Sequence, residues 1–430
     1  MHVCTASFGA SASSPRQRAL SSSSSRTAPV EVTQGSVTRH PQATETQRRE
    51  LEMAAPAPVN VAVIGMGMST TVFHAPFILS LPEKFNLKVI VERSATPEKS
   101  KARDKYPGVH VVNTLDEALA IPEIDAVWIC SINDTHYQFA KQALLAGKHV
   151  VVEKPVTPTS QQAYELAQLA REKNLVLAVY QNRRWDADFL TVKKLIAEGR
   201  LGDLSEFTSH FDRYKNVPNA KVWKESPVPG SGATFDLGSH LIDQIVDLFG
   251  PPDRVTGFVR NSRLLGHLDV PDSFLVHLHY DPRPDQPSRH LPLLATARGS
   301  ILSLQDPQSR FTLKGNRATF VKFGVDVQEA QLVAEGADAL DKDEFARDPE
   351  ELFGTLYALD GETGKPAAPQ TIPSERGNYR AWFENVGSAL QHRDPSRLIV
   401  KPEQAALTIR LIELAEQSSR EGRTLTLKEE

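Results

Sequence analysis

Two short stretches of the sequence contain the residue types that proton transfer requires. Lys154 follows the valine run of HVVVE at residues 149–153, and Pro155 comes directly after it. Farther along the chain, Asp236 and His240 stand four residues apart in GATFDLGSHLIDQ. Residues at i and i+4 share one face of an α-helix, so the carboxylate is spaced to orient the imidazole. Together, a lysine, a histidine and a carboxylate could exchange the proton of a hydroxyl group.

Each of these residues also has a structural interpretation. A lysine at the end of a strand can extend its ammonium group to solvent or pair with the preceding Glu153. A single histidine on a helix is more often part of the packing than of a reaction. Two titratable residues on one face of a helix that opens after a glycine-rich loop favour the catalytic interpretation of Asp236 and His240.

The segments around these residues predict the elements that position them. Apolar runs alternate with helical patterns between residues 59 and 180, and the runs are VNVAVIG, LKVIV, the short VHVV, AVWICS, HVVVE and LVLAVY. This alternation predicts an α/β fold with a doubly wound parallel sheet, the Rossmann fold, over residues 57–181. The carboxyl ends of parallel strands form the ligand-binding edge of such a sheet, and Lys154 follows one of them.

Residues 182–430 have a different pattern. The stretches LSEFTSHFDRY, RVTGFVR, SFLVHLHY and RFTLKGNRATFVKFG are longer alternating runs with few helices between them. Successive strands without crossover helices predict a largely antiparallel sheet. We therefore predict a second, α+β domain built on a large open sheet.

The stretch VAVIGMGMST places two glycines between the first strand and a helix. Gly65 permits a tight turn, Gly67 lets the backbone approach a pyrophosphate, and the helix N-terminus offers N–H groups to the anion. We therefore predict dinucleotide binding by these glycines and by Met68, Ser69 and Thr70. Thr70 stands where the G-x-G-x-x-G fingerprint has its third glycine, and we expect it to loosen the packing of the helix on the strand.

The end of the second strand, VERS, contains conflicting signals for the cofactor. A carboxylate at this point accepts hydrogen bonds from the adenine ribose of NAD, so Glu92 favours NAD. An arginine with a neighbouring hydroxyl group suits the 2′-phosphate of NADP, so Arg93 and Ser94 favour NADP.

The segment CSINDTH follows the fourth strand at the same predicted edge. Ser131, Asn133 and His136 are predicted to line the cofactor site there, with Asn133 and His136 on the nicotinamide side. Asn133 is equally suited to cap the helix that follows.

The composition excludes several classes of protein. With 49 Lys and Arg against 53 Asp and Glu, the net charge of −4 gives no reason to expect nucleic acid as a partner. No apolar run approaches the ~20 residues of a membrane span. Cys4 and Cys130 support neither a disulfide framework nor a metal site. Residues 1–56, rich in Ser and Arg, are predicted to be a disordered leader, either a mitochondrial targeting peptide or, as we favour, an inert segment before Met53. We expect the protein in the cytoplasm.

Taken together, these stretches resemble the Gfo/Idh/MocA oxidoreductases over residues 59–425. The resemblance lies in GMGMSTTVFHAPF, INDTHYQFAKQALLAGKHVVVEKP and DLGSHLIDQIVDLFG. The stretches QNRRWDADFLT and HFDRYK are most similar to the subgroup that contains NADP-dependent scyllo-inositol dehydrogenase.

The resemblance implies hydride transfer between C4 of a nicotinamide and the carbinol carbon of a polyol or sugar. It identifies Lys154 as the catalytic lysine, next to Glu153 at the cofactor, and Asp236 and His240 as the acid/base pair. It implies NADP as the cofactor, with NAD possible, and a homodimer or homotetramer formed through the open face of the second sheet. The residues that it places near the substrate are Arg184, Trp185, Asp186, Tyr214, Asp236 and His240.

Two other functions are compatible with the sequence. The same fold serves regulators of sugar pathways that bind NAD(P) as sensors without turnover, although a sensor has no use for Lys154, Asp236 and His240 together. The chain could instead be a dehydrogenase of an aldose or a dihydrodiol, because a few loop contacts decide specificity.

Overall fold

The first sheet is built from the alternating segments of the amino-terminal half. The computed structural model describes residues 56–218, 225–283 and 290–427, so almost all of the predicted leader lies outside the described residues. Six parallel strands lie in the order β3-β2-β1-β4-β5-β6, which confirms the predicted doubly wound sheet. These strands are β1 (Val59–Ile64), β2 (Phe85–Val91), β3 (His110–Val112), β4 (Ala126–Ile129), β5 (His149–Val152) and β6 (Leu177–Val179).

Helices connect these strands and cover both faces of the sheet. A π-helical turn, Ser69–His74, leads into the first of them. The side chains of Thr114 and Thr159 accept hydrogen bonds from backbone N–H groups and so begin the third and fifth helices. The helices are α1 (Ala75–Leu79), α2 (Lys101–Lys105), α3 (Leu115–Leu119), α4 (Asn133–Leu145) and α5 (Ser160–Glu172).

The central strands show why the polar residues collect at one edge. Every residue of β5 is buried, because helices pack on both faces of its valines. Polar side chains therefore find room only beyond the strand end, where Glu153 and Lys154 follow. The order of the strands reverses between β1 and β4, and this reversal opens a crevice at the carboxyl edge.

The second sheet has nine strands in the described residues, in the order β14-β13-β12-β11-β7-β10-β9-β8-β15. All neighbouring pairs are antiparallel except β7 with β10, so the predicted, largely antiparallel sheet is confirmed. Its strands are β7 (Leu204–Asp212), β8 (Arg254–Arg260), β9 (Ser273–Tyr280), β10 (Leu293–Ser300), β11 (Ser309–Gly315), β12 (Ala318–Phe323), β13 (Gly354–Ala358), β14 (Gln370–Ile372) and β15 (Leu425–Thr426).

The helices of the carboxyl-terminal half join the two sheets. Helix α9 (Tyr379–Gln391) packs on α1 and β1, and Nε1 of Trp382 donates to the carbonyl oxygen of Val179 in β6 at 3.3 Å. Helix α10 packs on α5, α7 and β8, and the Glu413 carboxylate accepts from both N and Oγ of Ser160 at 2.7 and 2.6 Å. The helices are α6 (Ala187–Ala197), α7 (Ser239–Phe249), α8 (Gln328–Glu335), α9 (Tyr379–Gln391) and α10 (Pro402–Glu421).

These contacts make the described chain from Pro56 onward one compact unit. The division between residues 181 and 182 therefore stays a prediction of the sequence. None of the helices in the described ranges is long and apolar enough to cross a bilayer.

Candidate functional site

A cleft of about 1060 Å³ runs along the carboxyl edge of the first sheet and reaches the start of α7. Each strand of the crevice ends on it, so residues that are far apart in sequence meet along one groove. Many of the residues predicted from the sequence line it, namely Gly65, Gly67, Met68, Ser69, Glu92, Arg93, Ser94, Ser131, Asn133, His136, Glu153, Lys154, Asp236 and His240.

The turn after β1 has the shape that a pyrophosphate requires. Gly65 has φ +103°, and a Cβ atom there would lie 2.9 Å from the carbonyl oxygen of Cys130, so only glycine fits. A Cβ atom at Gly67 would meet nothing within 4 Å, which leaves the backbone open to a ligand. Ser69 closes the turn by donating to Oε1 of Glu153 at 2.6 Å. These residues fit a dinucleotide.

Thr70 was expected to contact the cofactor and to loosen the packing of the helix on β1. Its side chain is fully buried and does not line the cleft. Its Oγ1 donates to the carbonyl oxygen of Gly65 at 2.8 Å. The hydroxyl group therefore ties the first helical turn to the glycine loop, which corrects the expectation of looser packing and leaves only the backbone of Thr70 for a cofactor contact.

The carboxylate of Glu92, at the end of β2, is engaged in hydrogen bonds within the protein. Its oxygens accept from Oγ of Ser100 at 2.7 Å and from N of Ala102 and Lys101 at 3.0 and 3.2 Å. Burial alone would raise its pKa, but these hydrogen bonds outweigh burial and hold the pKa below its ordinary value. The carboxylate thus stabilises the start of α2.

The neighbours of Glu92 differ from it in exposure. Arg93 and Ser94 are exposed and line the same end of the cleft. Lys101, in the first turn of α2, lines this end as well. The groups available to a ligand at the end of β2 are therefore two cations, Arg93 and Lys101, and the hydroxyl group of Ser94.

The loop after β4 forms the middle of the cleft. Asn133 is the first residue of α4 rather than its cap, and its Nδ2 donates to the carbonyl oxygen of Gly230 at 3.2 Å. The ring nitrogens of His136 lie 2.9 Å from the carbonyl oxygen of Pro155 and 3.2 Å from that of Ser131. Burial lowers the pKa of His136. The His136 contacts hold the loops after β4 and β5 together, and the Asn133 hydrogen bond ties them to the second half of the chain.

Lys154 joins the two halves of the site. Its Nζ lies 3.1 Å from the carbonyl oxygen of Asp236 and 3.4 Å from the Oδ1 atom of the same residue. The Lys154 side chain is 18% exposed and the Asp236 side chain 42%, so the pair remains open to the cleft. A hydroxyl group in the cleft could therefore reach both.

His240 is the third member of this group. The π-helical turn Thr234–Gly238 precedes α7, so Asp236 and His240 do not follow the α-helical spacing that suggested a shared face. Burial lowers the pKa of His240 well below its ordinary value, and the cations Lys154, Arg183, Arg213 and Arg310 lower it further. Its imidazole is therefore held in the neutral form.

Three residues that were expected near the substrate lie in the interior. Arg184 forms ion pairs with Asp243 and Asp247, each at 2.7 Å, and is almost fully buried. Asp186 accepts from the hydroxyl group of Tyr379 at 2.8 Å, and the buried Trp185 lies between these residues in sequence. None of the three lines the cleft. Their expected positions are corrected, because the turn Asn182–Trp185 directs them toward the core.

Tyr214 also lies elsewhere. It is 55% exposed, forms a β-bridge with Leu302 and does not line the cleft. Its neighbour Arg213 does line the cleft, which the sequence analysis did not anticipate.

Arg183 is a second cleft residue that was missed. Its guanidinium forms ion pairs with Asp186 at 3.3 Å and with Glu329, and lies 4.9 Å from the centre of the Phe211 ring. The doublet of arginines in NRRW was the available signal, but it did not show which of the two buried side chains lines the cleft. Two adjacent arginines in a short turn have the same polarity, so the sequence does not distinguish the one at the cleft from the one in the core.

His74 supports the floor of the cleft. Its Nε2 lies 3.0 Å from Oε1 of Glu153, and both side chains are nearly inaccessible. Burial alone would lower the pKa of His74, but Cys130 and the Glu153 carboxylate raise it to about 10. The imidazolium therefore compensates the charge of Glu153 beneath the glycine turn. No group of three or more His, Cys, Asp and Glu side chains in the described ranges could hold a metal ion.

Comparison with known proteins agrees with this two-part fold. Residues 59–181 match the family model described as oxidoreductase family, NAD-binding Rossmann fold, and residues 193–427 match that family's C-terminal alpha/beta domain. An uncharacterised oxidoreductase of Schizosaccharomyces pombe is 41% identical over 374 residues, which are 86% of this chain and 100% of the relative.

Two bacterial proteins are similar over the same span. The scyllo-inositol 2-dehydrogenase (NADP(+)) IolW of Bacillus subtilis is 35% identical over 370 residues, 86% of this chain and 96% of that protein. The solved structure of the oxidoreductase YvaA of Bacillus subtilis has a TM-score of 0.77 at 34% identity and covers 86% of this chain and 99% of its own.

Proposed function

Because the chain belongs to the Gfo/Idh/MocA oxidoreductase family, we propose that it is an NAD(P)-dependent dehydrogenase of a polyol or sugar. The observation that carries the proposal is the pairing of Lys154 with Asp236 beside a neutral His240, at the end of a cleft that fits a dinucleotide. The similarity to a protein named as a scyllo-inositol dehydrogenase favours an inositol-like substrate.

We assign Lys154, Asp236 and His240 different roles in the transfer of the hydroxyl proton. A bound nicotinamide supplies C4 as the acceptor or donor of the hydride that leaves or joins the carbinol carbon. The Lys154 ammonium group donates a hydrogen bond to the substrate hydroxyl oxygen, and Asp236 holds that ammonium group in place. His240 accepts the hydroxyl proton as the hydride leaves, and returns it in the reverse reaction.

The end of β2 supports NADP as the cofactor. Glu92 is engaged by the backbone of α2 and by Ser100, whereas Arg93 and Ser94 are exposed beside it. An arginine and a hydroxyl group match the 2′-phosphate of NADP better than the ribose hydroxyl of NAD. This arrangement therefore supports NADP as the cofactor, with NAD as the alternative.

The second sheet supports association with a second copy of the chain. Along β9 each second residue is buried, so the helices cover one face and leave the other more open. Phe258 and Tyr357, on two strands of this sheet, are 56% and 50% exposed. We expect light scattering to show a homodimer or homotetramer that Phe258→Asp dissociates, whereas Leu145→Asp on α4 leaves it intact. A monomeric wild type would contradict this part of the proposal.

The first experiment follows reduced-nicotinamide absorbance with the full chain. Inositols, aldoses and a dihydrodiol are offered with NAD and with NADP, and NADPH binding is measured separately. We expect turnover that is lost in Lys154→Ala and kept in Lys141→Ala, which removes an exposed lysine of α4. NADPH binding without turnover of any compound would contradict the enzyme proposal and favour a sensor.

A further inference from the structure

A cavity beside the cleft shares its entrance with the reacting residues. This side chamber has a volume of about 390 Å³, and part of its wall comes from the loop between β8 and β9. Asn133, Lys154, Arg213 and Asp236 line both the chamber and the cleft. A substrate whose carbinol faces Lys154 therefore extends the rest of its skeleton into the chamber.

One group of charges in the chamber is already satisfied by the protein. The guanidinium of Arg263 lies 2.8 Å from the carboxylate of Asp272 and 2.9 Å from that of Glu225. Its Nη1 donates to the carbonyl oxygens of Lys215 and Val217 at 2.9 and 3.0 Å. All three nitrogens of this arginine are thus engaged, and the group holds the wall of the chamber.

Arg213 is in a different situation. Its guanidinium lies 5.0 Å from the centre of the Phe211 ring, and within the described residues it forms no ion pair with a carboxylate. Lys215 also lines the chamber, and its ammonium group forms no ion pair with a described residue. Two positive charges therefore line the chamber without a counterion from the described part of the chain.

The charge of Arg213 lies close to the reacting centre. Burial is the main cause of the lowered pKa of His240, and Arg213 is one of the cations that lower it further. A guanidinium presents pairs of N–H groups that match the two oxygens of a carboxylate or phosphate. The Phe211 ring, 5.0 Å from the guanidinium carbon, is an aromatic neighbour of this cation at the same wall.

We propose that the substrate is an anionic polyol, a sugar acid or a sugar phosphate, whose carboxylate or phosphate binds Arg213 in the side chamber. Lys215 adds a second positive charge on the same wall. A neutral polyol cannot form the charge-assisted hydrogen bonds that an anion forms with Arg213, so it is the weaker substrate. This inference rests on the proposed function, because it assigns the substrate class of that same site.

The test compares matched neutral and anionic compounds with the full chain and NADP. Glucose is compared with glucuronate and glucose 6-phosphate, and myo-inositol with myo-inositol 1-phosphate. We expect kcat/KM of an anionic member to exceed that of its neutral partner by about 10- to 100-fold, as for a hydrogen bond to a charged group. The preferred anion distinguishes a carboxylate from a phosphate, and equal or higher kcat/KM for the neutral members overturns the inference.

Two variants assign the effect to one residue. Arg213→Met should lower the ratio of anionic to neutral kcat/KM by about the same 10- to 100-fold. Arg380→Met removes an exposed arginine of α9 outside the chamber and should leave the ratio unchanged. A preference that persists in Arg213→Met overturns the role of Arg213.

Calorimetry separates failure of this inference from failure of the proposed function. The same compounds are titrated into the NADPH-saturated protein. Anions that bind the wild type but not Arg213→Met support the chamber even without turnover, and anions that bind neither protein overturn it. Failure of NADPH to bind contradicts the proposed function itself, and the anion titration is then made on the protein alone.

Discussion

The ammonium group of Lys154 lies 3.4 Å from the carboxylate of Asp236 and 3.1 Å from the carbonyl oxygen of the same residue. Lys154 follows a strand of the first sheet, whereas Asp236 belongs to the π-helical turn before α7 of the second half. The pair therefore exists only when the two sheets are packed together. It couples the position of the proposed catalytic lysine to the packing of the whole chain.

Asp236→Asn tests this coupling. The amide keeps the shape of the side chain but loses the charge that orients the ammonium group. We expect kcat to fall by about 10- to 100-fold, the effect of losing a hydrogen bond between charged groups. The dissociation constant of NADPH, measured by fluorescence, should change by less than about 3-fold. Asp134→Asn, an exposed acid of α4, is the control, and full activity of Asp236→Asn would contradict the role.

The lowered pKa of His240 predicts an unusual pH profile. An ordinary histidine base loses activity as the pH falls through about 6.5. Because burial and neighbouring cations lower the pKa of His240 well below that value, the imidazole stays neutral through this range. We expect kcat/KM for oxidation to stay level from about pH 8 through pH 6, with the acid limb at lower pH.

Removal of one cation should shift that limb. Arg213→Met takes away a charge that opposes protonation of His240, so the acid limb should move toward higher pH. The pH profile is measured on a neutral substrate, because kcat/KM of an anionic substrate would also fall through the lost contact with Arg213. An acid limb near pH 6.5 in the wild type, or no shift in the variant, would count against His240 as the base.

Substitutions of Arg93 and of Glu92 should differ in their effect on the preference for NADP over NAD. Arg93→Ala should raise the dissociation constant of NADPH by about 10- to 100-fold and leave that of NADH within about 3-fold. Glu92→Gln should keep the preference for NADP and lower the free energy of unfolding by about 1 kcal/mol, because the start of α2 loses a charge. Fluorescence titration and urea denaturation provide the two readouts. A loss of NADP preference in Glu92→Gln alone would reverse the assignment.

Arg184 should behave as a structural residue despite its place beside Arg183. Arg184→Met leaves the carboxylates of Asp243 and Asp247 buried without their partner. We expect the free energy of unfolding to fall by about 3–5 kcal/mol, measured by urea denaturation. Arg380→Met breaks an exposed pair and should cost less than about 1 kcal/mol. A raised KM with unchanged stability would restore Arg184 to the substrate site.

The two sheets show which features of strand pairing can be predicted from local sequence. The apolar runs of the first sheet predicted its strands and their parallel direction, because crossover helices between strands leave few other topologies. The second sheet was predicted as largely antiparallel, yet its one parallel pair, β7 with β10, was not foreseen. Pairing between strands so distant in sequence has no local signal.

Side-chain direction was the harder problem at the site. Glu92 and Thr70 stand at the positions of a known fingerprint, but both turn to the backbone of their own neighbourhood. In NRRW, Arg183 faces the cleft and Arg184 faces the core. A motif predicts where the backbone passes, whereas competing hydrogen bonds decide where each side chain points.

The sequence by itself determined the class of fold and the edge at which the chemistry collects. Hydrophobic periodicity and strand length are local properties, and the ends of buried strands are the places where polar residues such as Lys154 can stand. Only the tertiary structure decided that Lys154 meets Asp236, 82 residues away, and that His240 is surrounded by cations. Partners and charge states depend on packing between distant segments, and no local pattern of residues encodes them.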